Sequence, residues 1–66
     1  MAYYRLYFMD AFHGRLDRFM QFEVASDEAA VDFAKEWQGD LTLELCNGAR
    51  SVKHWDPLPL HHEPPT

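Results

Sequence analysis

SDEAAVDFAKEWQGD, residues 26–40, is the stretch with a helical repeat, and its place in the chain decides the fold. Ala30, Phe33, Ala34 and Trp37 fall at i, i+3, i+4 and i+7, which makes one apolar stripe. Val31 widens the stripe, while Asp32, Lys35 and Glu36 lie outside it. Ser26 is suited to cap the first turn, because its hydroxyl can accept from an amide that has no partner inside the helix. Asp27 and Glu28 put negative charge at the positive end of the helix dipole. Gly39 is expected to end the helix in a left-handed conformation.

Before the helix, YYRLYFM (3–9) reads as a strand with Tyr4, Leu6 and Phe8 on one face and Tyr3, Arg5, Tyr7 and Met9 on the other. Asp10 and Gly14 mark a turn. LDRFMQFEV (16–24) is the returning strand. Leu16, Arg18, Met20, Phe22 and Val24 share its inner face, against Asp17, Phe19, Gln21 and Glu23.

After the helix, LTLELC (41–46) alternates, with Leu41, Leu43 and Leu45 inward and Thr42, Glu44 and Cys46 outward. Asn47-Gly48 is expected to form a type I′ turn, with positive φ at both central residues. ARSVKHW (49–55) then returns, pairing Cys46 with Ala49, Leu43 with Val52 and Leu41 with His54. DPLPLHHEPPT (56–66) holds four prolines and reads as an extended, flexible tail.

The expected architecture is α+β in the order ββαββ: a single helix on one face of a four-stranded, mostly antiparallel sheet, spanning residues 1–55. Strand order 2-1-3-4 is one arrangement that fits. The expected core is Tyr4, Leu6, Phe8, Met20, Phe22, Val24, Ala30, Phe33, Ala34, Trp37, Leu41, Leu43, Leu45 and Val52.

A 66-residue chain makes one domain. Folding at this size buries only about 60% of the unfolded surface, so stability is marginal. One cysteine forms no internal disulfide, which leaves a partner subunit as a source of added stability. The net charge of −5 and only six Lys and Arg argue against binding to nucleic acid or anionic membranes. MAYYRLYFMD carries no secretory pattern and no run approaches a membrane span, so a cytoplasmic protein is expected.

YRLYFMD, Gly14, FEVASDEAA and LELCNGARSV together resemble a group of small bacterial hypothetical proteins. These share an aromatic first strand, a Gly turn, an acidic helix start followed by Ala-Ala, and a hairpin of the form E-L-[WC]-x-G-x-R-x-V. The resemblance spans roughly residues 3–53. It implies the ββαββ fold and a domain of unknown function.

Few residues suggest chemistry. Cys46 lies on a strand, and a reactive thiol needs a nearby cation, metal or helix N-terminus. His13, His54, His61 and His62 have no structural zinc spacing, so no metal or cofactor is expected. His54 is expected opposite Leu41, near the end of the helix. The carboxylates read as a solvated face, and no nucleophile elbow, phosphate loop or metalloprotease motif occurs, so no catalytic residue is assigned. The sheet face without a helix is different. It is expected to carry Tyr3, Arg5, Tyr7, Met9, Phe19, Cys46 and Trp55, and aromatic, Met and Arg enrichment marks interface cores. The function expected is a non-catalytic protein-interaction or homo-oligomerising module, with a homodimer as the simplest form. The alternative is a small ligand-binding or regulatory domain.

Overall fold

The computed structural model describes residues 1–10 and 12–58. The tail expected over 56–66 lies mostly outside the described residues. Its first part is tied down, because the Leu58 amide donates to the Gly39 carbonyl at 2.7 Å.

The elements run β1 (Ala2–Asp10), β2 (Arg15–Val24), α1 (Asp27–Ala34), a 3₁₀ turn (Lys35–Trp37), β3 (Thr42–Asn47) and β4 (Arg50–Trp55). The four strands form one sheet in the order β2-β1-β3-β4, and all three pairings are antiparallel. Because β2 and β3 each run antiparallel to β1, they are parallel to one another with β1 between them. The helix connects them across β1.

The first hairpin closes through Asp10. Its carboxylate accepts from the Phe12 amide at 2.8 Å, and its carbonyl accepts from the Gly14 amide at 2.7 Å. Gly14 has φ +65°, a conformation in which a side chain is strained. Ser26 caps α1 as expected, with its Oγ accepting from the Ala29 amide at 3.1 Å.

Tyr4, Leu6, Phe8, Ala30, Ala34, Leu43, Leu45 and Trp55 form the buried core. Two alanines at the centre of the helical stripe bring the backbone of α1 close to the sheet. Met20, Phe22, Val24, Leu41 and Val52 pack around this centre half-buried.

Phe33 and Trp37, expected in the core, are instead 38% and 44% exposed. At about 100° per residue, Phe33 points about 80° to one side of the Ala30–Ala34 line. It packs at a tilt against Phe22 of β2, with ring centroids 4.4 Å apart and the planes inclined by 40°. The helix then tightens to 3₁₀ over Lys35–Trp37, and Trp37 is its last residue. Trp37 meets Phe8 edge-on at 6.2 Å. Gly39 is not a left-handed cap. The only positive-φ residues among those described are Gly14 and Gly48, and Gln38 has already turned extended at φ −64°, ψ 134°.

Two bulges revise the expected strand faces. In β2, Phe8 pairs with Arg18 but Met9 pairs with Leu16, so Asp17 is an extra residue and Leu16 turns to the outer face. In β4, Leu45 pairs with Lys53 but Cys46 pairs with Ser51, which makes Val52 the extra residue. The turn is also displaced by one position. Asn47 pairs with Arg50, and Gly48, at φ +60°, is the first central residue, followed by Ala49. Positive φ at the first central residue alone is the type II′ pattern, not type I′. The consequence is that Leu43 faces Trp55 rather than Val52, and His54 faces Glu44 rather than Leu41.

Candidate interaction surface

With one helix on the sheet, the opposite face is open. The register places Tyr3, Arg5, Tyr7 and Met9 along its centre. Leu16, Phe19, Gln21 and Glu23 flank them on β2, and Thr42, Glu44 and Cys46 on β3. Beyond these lie Ser51 and His54 of β4. Six of the seven expected surface residues, Tyr3, Arg5, Tyr7, Met9, Phe19 and Cys46, therefore share this face. Trp55 does not. It sits on the helix side, 9% exposed against Leu43, because the extra residue at the Val52 bulge reverses its orientation. Lys53 follows it to the helix side and holds its Nζ 5.6 Å from the Trp55 ring. A sequence signal existed for this reversal. Val52 and Trp55 are three positions apart, and an odd spacing between two core-seeking residues requires an irregular strand.

The centre of the face is built around Arg5. Its Nε donates to Gln21 Oε1 at 3.2 Å, and its guanidinium lies 5.2 Å from the Phe19 ring centre. Tyr7 packs against the same Phe19 at 5.9 Å. Among the described residues Arg5 forms no ion pair. Beside it opens a shallow recess of about 430 Å³, lined by Tyr3, Arg5, Tyr7, Gln21 and Gly48. Tyr3 is 63% exposed and Phe19 50% exposed.

The β3–β4 half of the face is polar. Glu44 accepts from Ser51 Oγ and lies 2.9 Å from His54 Nδ1. His54 Nε2 is 3.2 Å from Asp56. Hydrogen bonds from Ser51 and then His54 hold the Glu44 carboxyl below its usual range, and those to Glu44 and then Asp56 raise the His54 imidazole. This Ser–Glu–His group lacks the geometry of nucleophilic catalysis: the serine is bonded to the glutamate rather than the imidazole, and both imidazole nitrogens face carboxylates. Cys46 is half-buried, and burial together with the charge of Glu44 pushes its thiol up, away from the reactive thiolate.

Among the described residues no group of three or more His, Cys, Asp or Glu side chains is placed to hold a metal ion. No helix among them is long and apolar enough to cross a membrane. No protein-family model, curated protein or solved structure matches the chain.

Proposed function

We propose that the chain is a small, non-catalytic protein-interaction module that self-associates by burying its open sheet face against a second copy. The observation that carries this reading is the aromatic centre of that face, Tyr3, Tyr7 and Phe19 around an arginine with no carboxylate partner among the described residues. Arg and Tyr dominate the energetics of protein interfaces. The area is also suitable. Strands of 9, 10, 6 and 6 residues, at ~3.3 Å per residue and ~4.8 Å spacing, project to roughly 490 Å². Side chains raise the accessible area above that projection, toward the roughly 800 Å² per partner of a standard interface. A single unpaired cysteine suits the reducing cytoplasm.

Light scattering on a sizing column tests the reading. The expected result is a mass above 7.8 kDa that falls toward it for Phe19→Lys. A wild-type chain that stays at monomer mass on concentration overturns it.

The recess beside Arg5 favours a second reading, a small-ligand or regulatory domain that takes a carboxylate. A planar guanidinium recognises a carboxylate in a two-pronged arrangement. Titration with benzoate, followed at the Arg5 Nε–H resonance, tests it against benzamide as the neutral control.

A further inference from the structure

The two edges of the sheet are not alike. At the β4 edge, a six-residue strand is divided by the bulge at Val52. Its other residues before Trp55 are Arg50, Ser51, Lys53 and His54, all polar and exposed. Short, bulged, charged strands are how proteins protect a sheet edge from pairing.

The β2 edge is ten residues long. Its bulge at Asp17 lies near the start and leaves Arg18–Val24 without interruption, proline or glycine. The side of this strand away from β1 carries backbone donors and acceptors that no other strand of the sheet pairs. Exposed large apolar side chains gather here on both faces. Leu16 and Phe19 stand on the open face of β2, Phe33 overhangs its helix side with Trp37 behind it against Phe8 of β1, and Phe12 lies in the adjoining loop. None of the exposed large apolar side chains among the described residues belongs to β3 or β4.

We propose that the β2 edge pairs antiparallel with β2 of a second copy, across a two-fold axis normal to the sheet, joining two four-stranded sheets into one. Another extended strand is the partner whose chemistry fits a row of unpaired backbone groups. A second copy fits because the strand is self-complementary: a two-fold through Gln21 sets Met20, half-buried on the helix side, opposite the partner's Phe22. Arg15 and Arg18 stand at its start, Arg18 partly neutralised by Asp17 at 3.0 Å. Glu23 stands near its end with Glu28 just beyond. Arg15 and Arg18 lie on the helix side and Glu23 on the open face, so opposite charges meet at the ends of the ladder and not as paired side chains. Both helices then lie on one side of the joined sheet, so Phe33 of each copy, packed on Phe22 of β2, stands beside the junction. The bulge limits the new ladder to Arg18–Val24.

This edge is a different surface from the open face, and the two are separable by experiment. Backbone hydrogen exchange of the full chain is followed from micromolar to millimolar concentration, alongside the alkylation rate of Cys46, which reports covering of the open face. The expected result is that alternate amides within Arg18–Val24 slow by about tenfold or more with concentration, while those of Arg50–Trp55 do not change. Exchange in β2 that is independent of concentration, or protection that appears in β4 instead, overturns the proposal. Slowing of Cys46 alkylation without β2 protection supports the open-face reading and rejects the edge. Phe33→Lys, at a part-exposed position off the open face, is expected to abolish the β2 protection while leaving the far-ultraviolet circular dichroism unchanged. Full β2 protection in that folded variant also counts against the pairing. The wild-type exchange data decide alone if the variant does not fold.

Discussion

Arg50 and Asp27 form a two-pronged ion pair, Nη1 to Oδ2 and Nη2 to Oδ1, each at 2.9 Å. The pair joins the first turn of α1 to the start of β4. Tyr4 of β1 adds its hydroxyl, donating to Asp27 Oδ1 at 2.6 Å. One carboxylate thus fastens the helix N-terminus to two strands, while its charge also favours the helix dipole. Hydrogen bonds from Arg50 first and Tyr4 second hold Asp27 down to about 2, against an ordinary 3.8. A carboxyl lowered on folding contributes stability above its unfolded value and loses it as pH falls through the folded one. Unfolding free energy should therefore decline between about pH 4 and pH 2, the interval between those values. In Arg50→Gln the decline should be shallower. Urea titrations across that range check it, and equal slopes in the two proteins would rule out Asp27 as a source of the acid sensitivity.

Trp55 supplies a test of the strand register. Buried against Leu43, its truncation to alanine should cost about 3–5 kcal/mol, the range for large aromatic residues in cores. On the open face the same change would cost much less. Chemical denaturation of Trp55→Ala separates the two, with a cost under about 1 kcal/mol counting against the bulged register.

These residues also show which features were legible before the fold was known. The helix stripe, the Ser26 cap and the β1 and β3 alternations are local, and each was readable from spacing alone. Strand order is not local: 2-1-3-4 is one arrangement compatible with the pattern, and it is the one adopted. The misread features come from single extra residues. Asp17 and Val52 each shift a strand by one position, and a one-residue shift changes the face of everything beyond it. Leu16 and Trp55 moved for that reason. The Asn47-Gly48 pair fitted two turns, and only the position of the positive φ, on Gly48 alone, distinguishes them. Phe33 and Trp37 lie at the rim of an apolar stripe, where sequence periodicity does not separate a packed ring from a half-covered one. Most of the open face was legible because β1, which forms its centre, is regular from Ala2 to Phe8.

His54 should make stability sensitive to alkali. Its hydrogen bond to Glu44, then that to Asp56, raise it above the ordinary 6.5. A base raised on folding contributes stability that is fully present below its unfolded value and is lost as pH rises through the folded value. Glu44 acts in the opposite sense: lowered from 4.5, it contributes above that value and its share is lost as pH falls. The melting temperature should thus be highest between about pH 4.5 and 6.5 and decline above. In His54→Gln the alkaline decline should weaken. Thermal melts from mildly acidic to alkaline buffers check this, and an unchanged alkaline limb in the variant would assign the decline elsewhere.

Cys46 should be a slow nucleophile. It sits half-buried on β3 across from Arg5 and Ser51, two residues from Glu44 on the same face. Burial first, and the Glu44 charge second, raise the thiol above the ordinary 9.0. Alkylation by iodoacetamide requires the thiolate, so its rate against pH should show a midpoint above 9.0. At neutral pH the reaction should be slower than for a cysteine in an unstructured peptide. Glu44→Gln removes one of the two causes and should lower the midpoint without bringing it to that of the peptide, because burial remains. A wild-type midpoint at or below the ordinary value would mean that a cation reaches the thiol. The nearest candidate is Arg5, the cross-strand partner of Cys46. Arg5→Gln would then shift the midpoint upward, whereas with the guanidinium held on Gln21 and Phe19 it should leave it unmoved.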